Sequence, residues 1–258
     1  MIQQGIQVTF LGTGTSTGIP MIGCTCEVCT SADPRDNRLR SSIAISNGNT
    51  AIVIDSGPDF RQQMLRAKVN KLDAIVYTHP HKDHVAGMDD VRAYNYFQQK
   101  AMDIYANEMT QEVLVREFPY VFSESKYPGV PDVRLNTIDT EPFRIGDMDI
   151  LPVEVWHLKM PVLGFRIGGF TYITDANRIE ASEMEKIKGS EVLVINALRR
   201  EKHISHFTLD EAISLSQKLE IKTTYFTHIS HQLGLHAEVE ADLPENMFLA
   251  YDGLSFSV

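Results

Sequence analysis

Residues 72–88 read LDAIVYTHPHKDHVAGM, and this stretch decides what kind of molecule the chain builds. A short apolar β run, Ala74 to Tyr77, gives way at once to Thr78-His79-Pro80-His81-Lys82-Asp83-His84. Three histidines and one aspartate fall within six residues at a strand end. Neutral imidazoles and a carboxylate are donors suited to Zn²⁺, Mn²⁺, Fe²⁺ or Ni²⁺. Residues two apart in an extended loop point the same way, so His79 and His81 can grip one ion. Asp83 and His84 lie past the turn and can reach a second. Pro80 fixes φ and stiffens the loop. The alternative is a polar loop with merely solvated histidines, a reading that suits one isolated histidine better than H-x-H-x-D-H.

Outward from this stretch, strand-like runs repeatedly end in a potential ligand: Trp156 into His157, Thr174 into Asp175, Thr227 into His228. Rigid strands with chemistry on the loops at their carboxyl ends suit a site assembled from several segments. Seven side chains then divide between two ions. His79, His81 and His157 hold one, Asp83, His84 and His228 hold the other, and Asp175 bridges them. Such a pair lowers the pKa of a bridging water and polarises a phosphoryl or acyl oxygen. Asp55, at the end of the run 51–54, either orients a ligand histidine from behind or caps the helix that follows.

The other elements follow from periodicity and turn chemistry. Strands are expected at 7–11, 103–105, 148–156, 192–195 and 223–227, with hairpins at 42–46/51–54 and 162–167/169–174. A last hairpin is expected at 246–251/254–258, with Asp252-Gly253 at its turn. Helices are expected from Pro58 to about 67, at 89–99, 110–118 and 179–188, and at 209–219 behind a Thr208 cap. The segment 120–139 lacks a period and reads as a lid or insertion. The glycine-rich run 12–18 is not a Walker loop and reads as a tight loop near the site. The run 33–40, DPRDNRLR, reads as a self-paired solvated loop or a contact for a substrate phosphate.

Composition sets the bounds. The 258 residues are 43% hydrophobic and 22% charged, as in an ordinary α/β globular chain read as one domain over 1–258. A net charge of −10 argues against a broad nucleic-acid surface. No apolar run reaches the ~20 residues of a membrane span, and the N-terminus lacks a signal-peptide pattern, so the expectation is cytoplasmic. The three cysteines, Cys24, Cys26 and Cys29, are odd in number and clustered. They read as a metal knuckle short of a fourth ligand rather than a disulfide framework.

The ordered set His79-x-His81-x-Asp83-His84, His157, Asp175, His228 resembles the metallo-β-lactamase superfamily of binuclear hydrolases. The resemblance spans nearly the whole chain and implies a four-layer αββα sandwich, where periodicity alone gives only mixed α/β. The run GTGTSTGIPMIGCTCEVC at 12–29 is similar to the phosphoribosyl 1,2-cyclic phosphate phosphodiesterases of bacterial phosphonate breakdown. That resemblance implies a structural Zn²⁺ on Cys24, Cys26, Cys29 and His231, carried by a knuckle loop at about 19–40. It implies two catalytic divalent ions, Mn²⁺ or Zn²⁺, a small phosphodiester substrate and a homodimer. It also implies that a hydroxide held by the ions attacks phosphorus, beside the ligand Asp83, and that His206 is the general acid. His203 is the rival for that role. His203 and His236 are otherwise expected to be ordinary surface histidines. Competing readings are a transfer-RNA 3′-processing nuclease, a pyrroloquinoline-quinone-biosynthesis-like protein and a metal-binding module without turnover.

Overall fold

Alternate residues of the strands face two different apolar layers, and that period of two builds the architecture. A computed structural model describes residues 5–125 and 127–258. Residues 1–4, part of the N-terminal expectation, and Lys126, within the aperiodic 120–139 segment, lie outside the described residues. In chain order the strands are β1 (Gln7–Gly12), β2 (Ser42–Ser46), β3 (Ala51–Ile54), β4 (Ala74–Val76), β5 (Met102–Ala106), β6 (Val133–Thr137), β7 (Phe143–Ile145), β8 (Met148–His157), β9 (Met160–Ile167), β10 (Phe170–Ile173), β11 (Val192–Asn196), β12 (Thr223–Thr227), β13 (Met247–Leu249) and β14 (Ser255–Ser257). The helices are α1 (Phe60–Ala67), α2 (Lys82–Val85), α3 (Arg92–Gln98), α4 (Glu108–Glu117), α5 (Pro119–Phe122), α6 (Ala181–Ile187), α7 (Leu209–Lys218) and α8 (His236–Ala241).

The strands form two seven-stranded sheets, ordered β14-β1-β2-β3-β4-β5-β6 and β13-β12-β11-β10-β9-β8-β7. Each sheet joins an antiparallel part to a parallel run, β3 to β6 in one and β10 to β13 in the other. In β4, Ala74 and Val76 point into the layer between the sheets, while Ile75 and Tyr77 face the layer under α1, α3 and α4. In β11, Val192 and Val194 point between the sheets, while Leu193 and Ile195 face α6, α7 and α8. Three apolar layers therefore separate four structural layers, and the αββα sandwich is observed. Full burial of an aliphatic side chain contributes roughly 1.5–3 kcal/mol, so these layers are the main source of stability.

α7 shows the local logic clearly. Thr208 accepts from the Glu211 N–H, and the Glu211 carboxylate accepts from the Thr208 N–H, a reciprocal cap that fixes the first turn. Leu209, Ala212 and Leu215 then share one buried face.

Several expectations need correction. The segments 246–251 and 254–258 are not a hairpin. β13 joins β12 in one sheet and β14 joins β1 in the other, so the Asp252-Gly253 turn carries the chain across the sandwich. The reason is that Phe10 pairs its backbone with Gly253 and Leu254, which captures the last strand. Within 120–139, Val133–Thr137 is the edge strand beside β5 rather than part of a lid. The expected helix at 89–99 is broken into a 3₁₀ turn, Met88–Val91, followed by α3. Asp59, not Asp55, occupies the position before α1. The 33–40 loop is not simply solvated. Arg35 pairs with Asp33, but Arg38 is 2% exposed and donates to Thr13 Oγ1 at 2.9 Å and to the Ala250 carbonyl. His236 is also no surface residue. It is 1% exposed, with Nδ1 3.0 Å from Arg38 Nη2.

Candidate metal centre

The strand ends converge at one edge of the sandwich. β4 runs into His79, β8 ends in His157, β10 is followed by Asp175 and β12 by His228. Asp55, Asp175 and His228 all have left-handed backbones, with φ of +65°, +53° and +55°. Non-glycine residues pay for that conformation, and they keep it where the surrounding structure dictates it, typically at functional sites.

The expected residues come together, and one of the two expected sets, Asp83, His84 and His228, is itself a close group of ligand atoms. Ligand-capable atoms of His79, His84 and Asp175 lie within 4.8 Å of one another, as do those of Asp83, His84 and His228, and those of His157, Asp175 and His206. The exposed His81 completes no such triplet, yet its ring lies 4.6 Å from His79 and 5.1 Å from His157. Asp175 is the hub. Its Oδ2 is 3.0 Å from His84 Nε2 and 3.2 Å from His228 Nδ1, and its Oδ1 is 2.9 Å from His206 Nε2. His206 is thus placed beside the centre, its ring stacked on His228 at 4.9 Å.

The outer hydrogen bonds orient the rings. Asp55 Oδ2 lies 2.7 Å from His84 Nδ1. The Thr78 hydroxyl donates to that same carboxylate, so its oxygen is left to accept from His79 Nδ1 at 2.9 Å. The Ser205 carbonyl accepts from His157 Nδ1 at 2.9 Å, and Thr15 Oγ1 meets His228 Nε2 at 3.1 Å. In each ring one nitrogen is occupied from behind and the other is left to the centre. Thr15, Thr78 and Ser205 escape the sequence reading. A signal for some was present, since a hydroxyl residue directly precedes the candidate in Thr78-His79, Thr174-Asp175, Ser205-His206 and Thr227-His228.

The inner atoms fit a cation. His84 Nε2 is buried and close to two carboxylates, 3.0 Å from Asp175 and 3.2 Å from Asp83, but makes a hydrogen bond to neither. His79 Nε2 is likewise buried without a partner. Buried polar atoms are rarely left unpaired, and lone pairs aimed at one another call for a positive charge between them. Electrostatics agree. Burial opposes a charged His84, yet Asp175, Asp55 and Asp83 outweigh it and raise its pKa well above the ordinary value. Burial also opposes an ionised Asp175, but His228, His84 and His206 hold its carboxyl well below the usual range. Burial pushes His79 well down and His228 down to about 4, so both imidazoles are neutral donors at pH 7.

A second cluster stands apart. Cys24, Cys26, Cys29 and His231 bring four ligand atoms within 4.8 Å of one another. His231 Nδ1 is 3.3 Å from Cys26 Sγ and 3.5 Å from Cys24 Sγ, and the Met21 N–H donates to Cys29 Sγ. The His231 contact pulls the Cys26 thiol down to about 6, while burial pushes Cys29 up to about 11. Three sulfurs and one imidazole make a closed tetrahedral donor set for zinc.

Comparison with known proteins fits this geometry. A family model described as a beta-lactamase superfamily domain matches residues 50–229. A solved structure described as a new diphosphatase from the PhnP family is 40% identical, with a TM-score of 0.93 over 98% of this chain and 97% of that one. An octanoyltransferase of Porphyromonas gingivalis is 39% identical over 247 residues, 95% of this chain and 50% of that protein. Coenzyme PQQ synthesis protein B of Methylobacterium radiotolerans is 32% identical over 101 residues, 34% of each chain. This chain therefore spans about half the length of the first of these two curated relatives and a third of the second. No helix among the described residues is long and apolar enough to cross a membrane. With its sandwich, its His/Asp cluster and a 40%-identical relative matched over nearly the whole of both chains, the chain belongs to the beta-lactamase superfamily and, within it, to the PhnP family.

Proposed function

We propose that the chain hydrolyses small or cyclic phosphodiesters at the His/Asp centre. The observation that carries this reading is the unpartnered His84 Nε2 between the Asp83 and Asp175 carboxylates, with His79 Nε2 equally free beside it. His79, His81 and His157 would hold one divalent ion, Asp83, His84 and His228 a second, and Asp175 both. Mn²⁺ or Zn²⁺ suits these donors. When bound, such a pair supplies an activated water and neutralises charge building on the phosphoryl oxygens. The Cys24, Cys26, Cys29 and His231 set would hold a structural zinc.

The chain's own groups do the rest. Asp55 accepts the His84 Nδ1 proton, Thr78 accepts that of His79 and the Ser205 carbonyl that of His157, which keeps the inward nitrogens bare. His206 carries a proton at Nε2, against Asp175 Oδ1, and gives it to the leaving oxygen of the ester. Its other nitrogen is braced by Ser205 Oγ at 3.0 Å and lies 3.2 Å from His203 Nδ1. On this reading His203 steadies His206 from behind, and His206 is the acid. General-acid catalysis of this kind contributes about 10²- to 10⁴-fold.

A second reading has its own support. The 40%-identical relative is described as a diphosphatase, so a diphosphate ester is the rival substrate class. Metal analysis followed by turnover of bis-p-nitrophenyl phosphate, a ribose cyclic phosphodiester and a diphosphate diester separates the two. Turnover of the first two supports the phosphodiesterase reading; turnover of the diphosphate diester alone replaces it. Full metal with no turnover of any favours a binding module. His206→Ala should lose about 10²- to 10⁴-fold in rate with metal content intact. Full activity of that variant would remove His206 from the acid role.

A further inference from the structure

β8 delivers His157 to the centre, and the next residue leaves the strand in an unusual way. Leu158 has φ +58°, a left-handed backbone that bulky side chains rarely adopt. Its N–H donates to Asn177 Oδ1 at 2.9 Å, and Asn177 Nδ2 donates to the Ile204 carbonyl at 2.9 Å. A second tie, His157 Nδ1 to the Ser205 carbonyl at 2.9 Å, joins the same two segments. Asn177 follows Asp175 by two residues, so a single loop sends a carboxylate into the centre and an amide to its edge.

What this clamp presents is apolar. Leu158 is 49% exposed and Ile204 is 71% exposed. Single exposed aliphatic residues are ordinary on a protein surface. Here, however, two of them stand next to His157 and close to His206 in the chain, on backbones tied together by the half-buried Asn177 amide. Leu158 opens the two-residue turn between β8 and β9, which calls for its left-handed φ, and the Asn177 tie fixes that turn against the segment that leads into His206.

We propose that Leu158 and Ile204 form an apolar lip that receives the hydrocarbon part of the substrate's ester group, with Asn177 as its positioning residue. The inference rests on the reading of the centre as a phosphate-ester site and deepens it. It assigns a preference for aryl or larger alkyl esters over methyl esters. The phosphate goes to the centre, and the ester group leaves past His206 and lies against the lip.

Calorimetric titration of the Mn²⁺-loaded protein with phenyl phosphate and with methyl phosphate tests this without turnover. The wild-type chain should bind phenyl phosphate about fivefold or more tightly than methyl phosphate. The double variant Leu158→Asn, Ile204→Ser should lose that ratio and keep its affinity for methyl phosphate. Asn tolerates the left-handed backbone, so the fold is spared. Asn177→Ala should lower the ratio in the same direction at unchanged metal content. A wild-type protein without preference, or a double variant that keeps it, overturns the proposal. Absence of turnover of both bis-p-nitrophenyl phosphate and the ribose cyclic phosphodiester, with the preference intact, would reject the phosphodiesterase reading and leave the lip standing.

Discussion

The His/Asp centre and the cysteine knuckle are both ligand clusters, but they are built in opposite ways. The centre draws on four strand ends of two sheets, and the rings of His79, His84, His157 and His228 are each held from behind by a carboxylate, hydroxyl or carbonyl. The knuckle draws on one loop and on His231, its cysteines are half-buried, and backbone N–H groups of the same loop, Met21 and Cys29, support its sulfurs. The first construction fixes atoms in place before any ion arrives. The second packs its loop on the core through Val28, Cys26 and Cys29, and an ion would add a further tie. Reacting groups need the former, because small misplacements cost large factors in rate; a structural tie needs only closure.

The sharpest way to break this contrast is at the hub. Asp175→Asn should reduce bis-p-nitrophenyl phosphate turnover by about 10²- to 10³-fold, with loss of metal from the centre on elemental analysis and zinc retained at the knuckle. Activity within tenfold of wild type would show that the centre does not depend on its most connected carboxylate. Next in size is Asp55→Asn, which touches no ion. Because it takes the His84 Nδ1 proton, its loss should cost about 10- to 100-fold in metal affinity or activity. An unchanged affinity would mean that support from behind the rings is immaterial.

Cys26→Ser should act on the other side of the comparison. We expect loss of about one zinc per chain and a melting temperature lowered by several degrees, with kcat of the metal-saturated centre within twofold. A collapse of kcat at full occupancy of the centre would join the two clusters into one functional unit.

The smallest effect concerns a second tie on the knuckle loop that uses no metal. Arg38 and Asp36 both engage His236, Asp36 by accepting from its N–H at 2.8 Å. Burial, then the charges of Arg38 and Arg35, hold the His236 pKa down to about 4. In the unfolded chain it sits near 6.5, so between these values the unfolded state binds the extra proton. Stability must therefore fall as pH drops from about 6.5 toward 4, by about 1 to 2 kcal/mol from this residue at pH 5. His236→Gln should flatten the decline in melting temperature between pH 7.5 and pH 5; an equally steep decline would assign it to other groups.

Much of the centre was legible because its His and Asp side chains sit next to strand ends, and strand ends show in the sequence as apolar runs stopping at His or Asp. The sandwich itself was not legible from periodicity. A period of two says which side chains share a face, but not which sheet a strand joins. That is why β13 and β14 looked like partners although Phe10 draws one of them away. Val133–Thr137 was missed for a related reason. As an edge strand without a fully buried residue it lacks the apolar alternation of its neighbours. Arg38 and His236 show a third limit. A guanidinium and an imidazole carry no mark of burial in the sequence, because their solvation is replaced by groups such as Thr13 and Ala250, distant along the chain.

The left-handed backbones at Asp55, Asp175 and His228 set the folding interests of this protein against its chemistry. Glycine would occupy each of those positions with less backbone strain, yet each such replacement deletes a group from the centre. Relief of about 1 kcal/mol of strain would be set against lost hydrogen bonds, since glycine at position 55 would strip Thr78 and His84 of their acceptor, so the same side chains that strain the backbone also tie the site together.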